Sequence, residues 1–545
     1  KDRAVALFYF LWQGDTNSRI SPKHYDLYEI ALHHPEVFDD DLNQYWGGAR
    51  GSYYYWAEPL YGYYRGDDYW VHRRNIQLLT DADVDLLVID ATNRLIYAKQ
   101  AESLMQAMDD VRKQGLAPPK IAFYTNTRSG ETMQDLYDTY YKEGARHRHP
   151  DCWFYLDGKP LVIGVSKEAK GTDAEKFFTV REAQWPNQPQ VRNGWPWISF
   201  TRRPKVHYNR KDEAEIINVS VAQHPNPAQG MGGSAFYGYN GNWGRSYRNG
   251  KPGKPATDIP YGYNIQEQWD YALKQNTRFI FITGWNEWVA GRWPSTDGNA
   301  EHSYFCDLAS PEFSRDIEPT RIAGINDNYY MQMVNNIRRY KGVESQARAL
   351  PKTIQKMDDW NDVVNTYSDY TGDTAPRNHP SALTDPQTVY KNNTGRNDFK
   401  TLKVAHDTEN LYFYVQTVED IVTVRQEESS DAEHIIRISP DDSLALYLDF
   451  DRNHLTGWHG YDYRIIAGRK LQTYTGNHWE TKLTVEYLLR QNRLMITVPR
   501  ASTIDNERLD FEFKWSDNMQ SDDPLDWYLN GDAAPGGRFN FIYKE

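Results

Sequence analysis

At 545 residues the chain is too long for one ordinary hydrophobic core, so two or more domains are expected. A formal net charge of −13 argues against a nucleic-acid backbone as partner, because such a partner demands a basic face. No stretch is apolar and long enough to span a membrane, yet 14% of residues are aromatic, 18 of them Trp and 40 Tyr; that excess on a polar chain suits a carbohydrate-handling surface, although β-rich cores can also absorb it.

Lys1-Asp2-Arg3 leads directly into an apolar run, 5–12, that reads as a strand, with no signal peptide in view. Further strand candidates follow at 85–90, 120–126, 160–165, 197–201, 216–223 and 279–285. Helix-like stretches lie between them at 70–80, 101–114, 132–143 and 266–274. Strand and helix alternate at the cadence of parallel βαβ units, seven times over, which predicts a (β/α)8 TIM barrel over 1–345 with an eighth, poorly marked strand near 304–308. An open doubly wound sheet is the competitor, disfavoured because no Gly-rich phosphate loop follows the first strand. Beyond about 345–355 the helical periods fade. Short β-branched or aromatic runs at 411–417, 443–450, 463–467, 494–498 and 509–515, separated by Asp/Asn/Gly turns, predict an all-β sandwich over 350–545.

In a barrel the chemistry gathers where the strands end. The seventh candidate strand stops at Gly284 and delivers Trp285, Asn286, Glu287 and Trp288 in succession. Indole faces stack on pyranose C–H faces, an amide bonds hydroxyls, and a carboxylate can stabilise or attack an anomeric centre. The bland alternative is that both tryptophans plug a core and Glu287 is solvated. The other strand ends supply Asp90 and Asn93, Tyr124, and Gln223 with His224, which should share a rim with Glu287.

Glycoside hydrolysis usually needs a second carboxyl group. The preferred acid is Glu58, inside the aromatic loop 53–64 beside Trp56, where desolvation can keep it protonated; Asp90, Asp297 and Glu301 are alternatives. The loop reads almost as well as a hydrophobic cover over the barrel. His33-His34, His147-Arg-His149 and Asp39-Asp-Asp41 match no metal motif and read as solvated loops. Cys152 and Cys306 match no zinc or disulfide pattern and read as buried small side chains.

The run 5–12, the Trp56-Ala-Glu-Pro loop, the segment 83–90, Asp157-Gly-Lys-Pro160 and above all Gly284-Trp-Asn-Glu-Trp288 resemble glycoside hydrolase families 71 and 99 over about 1–345. The resemblance implies a (β/α)8 barrel that cleaves α-linkages in a polysaccharide or glycan. One departure matters: family 99 carries a second glutamate, its proposed acid/base, three residues after the first, and Ala290 stands at that position here. Glu287 is carried over and the acid is not. The segments 404–415, 449–453 with Thr456-Gly-Trp458, and 531–540 resemble family 9 carbohydrate-binding modules. Such modules often hold a structural calcium ion, for which Asp449 and Asp451 are suitable oxygen ligands; appended to glycosidases they frequently serve as scaffold, with Trp458 and Trp515 as core residues.

The leading reading is a secreted, periplasmic or cell-surface glycoside hydrolase, monomeric, needing no cofactor for catalysis. Its catalytic residues are Glu287, Glu58 and Asp90, and Trp285, Asn286, Trp288, His224, Gln223, Tyr124, Asn93 and Trp56 line the substrate. The rival is a glycan-binding protein that keeps the barrel without the acid. A glycosyltransferase would need a nucleotide-sugar site, and none is visible.

Overall fold

The computed structural model describes residues 3–14, 24–40, 42–47, 51–186, 188–224, 242–294, 303–305, 310–384, 387–422, 444–466, 469–503 and 509–545. Two compact units emerge: Lys1–Val343 with His379–Tyr390, and Glu344–Asn378 with Lys391–Glu545. The second pass of the chain through the first unit is anchored on the aromatic loop, where Ala382 N donates to Tyr63 O (2.7 Å) and Tyr63 N to the Tyr390 hydroxyl (2.8 Å).

The first unit is built on a nearly closed sheet of eight parallel strands: β1 (Ala4–Tyr9), β2 (Leu86–Ala91), β3 (Lys120–Thr125), β4 (Lys159–Gly164), β5 (Thr179–Gln184), β6 (Gly194–Pro196), β7 (Ala214–Ser220) and β8 (Phe279–Thr283). β8 pairs with both β7 and β1, with Phe281 beside Ala6 on one side and Asn218 on the other. The expected (β/α) barrel is therefore present, with corrections in its strands. The last barrel strand is Phe279–Thr283 rather than a run near 304–308; Ser303–Phe305 belongs to a small separate sheet, where it pairs antiparallel with Val289–Pro294. The strand missing from the expected set is β5, whose sequence Thr-Val-Arg-Glu-Ala-Gln is no apolar run. Its Arg181 is buried because Glu215 takes it in two hydrogen bonds of 2.7 Å, so a charge stands where the pattern demands a hydrocarbon. The fifth candidate also shifts: β6 ends at Pro196, and 197–201 continue without a ladder.

Successive strand residues alternate faces, which sorts the barrel interior. Ala6, Phe8, Leu86, Val88, Ala122, Tyr124, Leu161, Ile163, Ile216, Phe279 and Phe281 fill it. The same faces turn polar toward the C-terminal ends, at Asp90 on β2, Asn218 on β7 and Thr283 on β8. Asn218 closes the sheet there: its amide donates to Thr283 Oγ1 (2.8 Å), its carbonyl accepts from Ser199 N (3.1 Å), and Thr283 Oγ1 donates to Trp197 O (3.2 Å). At the other end the short strand His207–Tyr208 runs antiparallel to β7, and Asn193 N donates to Tyr208 O (2.8 Å).

The second unit has two antiparallel sheets around a core of Phe399, Leu402, Leu411, Phe413, Leu446, Leu448, Phe511, Phe513 and Trp515, among others. The five runs expected as strands are strands, at Asn410–Thr417, Ala445–Asp449, Tyr463–Ile466, Arg493–Pro499 and Asp510–Asp517. Trp458 and Trp515 are both buried. Among the described residues no helix is long and apolar enough to cross a membrane.

Candidate functional site

The residues that follow β8 are held by a second segment, Ser314 to Glu318. Trp285 N donates to Phe8 O (2.8 Å), while its carbonyl accepts from Ile317 N (3.1 Å) and Glu318 N (2.9 Å). Asn286 bonds the backbone of Phe10 twice, accepting from its N–H at 2.8 Å and donating to its carbonyl at 3.1 Å. Trp288 stacks on Trp56 with ring centroids 4.6 Å apart, and its indole N–H donates to Glu318. The Trp56 indole donates to Asp316 (2.7 Å). These side chains are fully buried, so Trp285, Asn286, Trp288 and Trp56 offer no open face to a sugar. Their expected substrate-lining role is corrected: they fasten the end of β8 to β1 and to the 314–318 segment.

Glu287 is the exception in that run, at 5% exposure. Its carboxylate accepts from Arg315 Nη2 (3.0 Å), and its backbone N–H donates to Asp316 Oδ1 (2.5 Å). Arg315 lies over the Trp197 ring, 5.2 Å from its centroid, and Arg245 Nη2 braces Asp316 O (2.8 Å). Burial pushes the Asp316 carboxyl up to about 6 and that of Glu318 up to about 8 against the hydrogen bonds that hold them. Arg315, Asp316 and Glu318 carry no signal in the sequence beyond an uninterrupted Arg-Asp-Ile-Glu alternation, since nothing local ties that segment to β8.

The other expected residues divide. Tyr124 is inside the barrel, but its hydroxyl is used structurally, donating to Trp195 O (2.8 Å) and accepting from Gln184 N (2.9 Å). Gln223 donates to Ser199 O (2.6 Å) and accepts from Gln268, which makes it a brace of the loops. His224 is buried with Nε2 3.0 Å from Phe313 O, one residue ahead of the segment that holds Glu287. Asn93 is exposed beyond the end of β2. Glu58, the preferred acid, is ion-paired with Arg321 at 3.2 Å; both partners are partly exposed, and Asp26 and Glu29 are its other charged neighbours. Burial raises its carboxyl and Arg321 pulls it back. The loop around it is the hydrophobic cover: Tyr54, Tyr55, Tyr61 and Tyr64 are buried, with the Tyr64 hydroxyl on Glu318 (2.8 Å). Asp297, Glu301, Cys306 and Asp41 lie outside the described residues.

Asp90 is different from all of these. It pairs in register with Tyr124, follows the inward Leu86 and Val88 at period two, and is 3% exposed. One carboxylate oxygen, Oδ2, has no hydrogen-bond partner, and burial pushes the group up to about 6 against its bonds with Thr92. Three aromatic side chains pack half-buried on the same core: Trp12 beyond β1, Trp185 beyond β5 and Phe200 beyond β6. Trp185 is aimed by Asn126, which accepts its indole N–H at 2.6 Å.

In the second unit Asp449 is fully buried, and neither of its carboxylate oxygens has a hydrogen-bond partner. Oxygens of Asp449, Asp451 and Asp462 lie within 4.8 Å of one another. Burial, then the neighbouring Asp451, pushes Asp449 up to about 7. The oxygens of Asp449, Asp451 and Asp462 suit a hard divalent cation, with His454 Nε2 also 3.7 Å from Asp449 Oδ2.

The first unit is thus a (β/α) barrel with acidic side chains at the C-terminal ends of its strands. No family model and no curated protein matches the chain. Two structures of the GH99 endo-alpha-mannosidase from Bacteroides thetaiotaomicron, one in complex with bis-tris propane, are similar to it at 12% identity; each match covers 63% of this chain and 98% of the mannosidase, with TM-scores of 0.33 and 0.35.

Proposed function

We propose that the first unit hydrolyses a glycosidic bond in a polysaccharide or glycan, with Asp90 as the general acid and Glu287 as the nucleophile or base. Asp90 carries the reading. A carboxyl buried at the mouth of a barrel, raised to about 6 and with one oxygen unpartnered, is suited to give its proton to a leaving oxygen near neutral pH. Glu287, paired with Arg315, supplies the negative charge that the oxocarbenium-like transition state needs. Water provides the hydroxyl, and the proton lost from Asp90 is recovered as that water is consumed. Trp12, Trp185 and Phe200 suit sugar faces.

The second reading, a glycan-binding barrel, is favoured by Ala290 and by the ion pair that occupies Glu287. A panel of plant, microbial and host polysaccharides separates the two. Under the enzyme reading, wild type releases reducing ends and Glu287→Gln lowers turnover on the order of 10²-fold or more while still binding. Binding by wild type with no release from any substrate favours the second reading.

For the second unit we propose a structural calcium ion held by Asp449, Asp451 and Asp462. Calcium should raise the unfolding temperature of wild type, chelation should reverse it, and Asp449→Asn should respond to neither.

A further inference from the structure

Outside the barrel, a cluster of three different ligand types meets on the helix Ala98–Arg112. The turn Pro150–Cys152 is a 3-10 turn closed by Cys152 N donating to His149 O (2.9 Å), and such a turn eclipses side chains three apart, so His149 and Cys152 face the same way. They meet Asp109: His149 Nδ1 is 2.6 Å from Asp109 Oδ2, and Cys152 Sγ is 3.5 Å from Asp109 Oδ1. Ligand atoms of all three residues lie within 4.8 Å of one another. Of the histidines expected to be solvated, His147 and His149 are not: their side chains are 20% and 13% exposed, packed on Glu102.

We propose that Asp109, His149 and Cys152 form a binding site for zinc or a similar borderline-soft divalent cation. A sulfur, a nitrogen and an oxygen donor together select such an ion over calcium or magnesium. Zinc takes thiolate at about 2.3 Å and imidazole at about 2.0 Å, so ligand atoms around it sit roughly 3–4 Å apart. The sulfur–oxygen spacing already falls there, and the His149–Asp109 contact has only to open slightly. The outer nitrogen is prepared as well: His149 Nε2 is 3.2 Å from Glu102 Oε1, the carboxylate partner that metal-bound imidazoles use to fix their orientation. Binding expels the thiol proton to solvent and forms the metal–sulfur bond. The Arg112 guanidinium, 2.5 Å from Asp109 Oδ1 and 3.8 Å from Cys152 Sγ, holds a cation's place between the same two ligands, and the ion displaces it. Water completes the coordination.

The site lies toward the N-terminal end of the barrel, where Trp153 bridges Ile121 near the start of β3, so its role is to tie the 147–152 loop to the helix. The test uses the full-length protein, dialysed with zinc and then against metal-free buffer, with bound metal measured by elemental analysis. Calcium is kept saturating so that the second unit does not contribute. About one zinc per chain should remain, and Cys152→Ser and His149→Gln should each lose it while circular dichroism reports a folded protein. Cobalt in place of zinc should give a thiolate charge-transfer band that Cys152→Ser abolishes. If wild type retains no zinc, or either variant retains as much as wild type, the proposal is overturned and the cluster is an ion-pair network completed by Arg112.

Discussion

Around the end of β8, Trp56 and Trp288 are stacked on each other, and their indole nitrogens are committed to Asp316 and Glu318. Around the ends of β1, β5 and β6, Trp12, Trp185 and Phe200 are half-buried against the barrel core, each only partly covered. Both groups are aromatic and both lie at the C-terminal ends of barrel strands, but one is framework and the other is only half-covered. An aromatic residue beside an acid therefore identifies a subsite only when a ring face remains uncovered.

The largest effect expected from that contrast is on stability. Trp288→Ala removes a stacked indole and leaves Glu318 without that donor in a buried site, which should cost about 3–5 kcal/mol. Trp185→Ala should cost less stability than Trp288→Ala, its ring being only half-buried, and under the glycan reading should weaken binding by about 1 kcal/mol. Calorimetric unfolding and titration of a bound oligosaccharide read both. Equal losses of stability in the two variants would erase the distinction.

The next effect concerns Asp90, whose folded-state value near 6 stands above an ordinary carboxyl at 3.8. The folded protein holds this proton more tightly than the unfolded chain, so the contribution to stability is complete below about pH 4 and is lost as pH rises through about 6. The size is on the order of 3 kcal/mol. Asp90→Asn should flatten that fall. In the enzyme reading it should also remove the limb over which activity declines as pH rises past about 6. A variant with the wild-type pH profile of unfolding would show that Asp90 is not the buried acid.

The barrel is legible in the sequence because most of its strands are apolar runs, and the sandwich because its strands alternate between turns. β5 is hidden by Arg181, which is buried through Glu215, a pairing between residues 34 apart that no local pattern carries. Of the candidate site, Glu287 and Asp90 can be located from sequence, because strand ends place them. Arg315, Asp316 and Glu318 are not, because they approach β8 only through tertiary hydrogen bonds to Trp285, Trp288 and Glu287. Aromatic density misleads at Glu58, since the tyrosines around it close over the barrel and leave the carboxylate beside Arg321.

That last residue gives the smallest expected effect and the sharpest use of the contrast. Glu58 and Arg321 form a pair whose side chains are 35% and 49% exposed, where solvent screens the attraction and ordering two long side chains offsets much of it. Glu58→Gln should therefore change stability by less than about 1 kcal/mol. Under the enzyme reading, in which Asp90 is the proposed acid, turnover should stay within about twofold of wild type. The comparison is made beside Glu287→Gln in the same reducing-end assay. A loss of turnover in Glu58→Gln as deep as that in Glu287→Gln, with stability unchanged, would return the acid to the aromatic loop and remove Asp90 from the reaction.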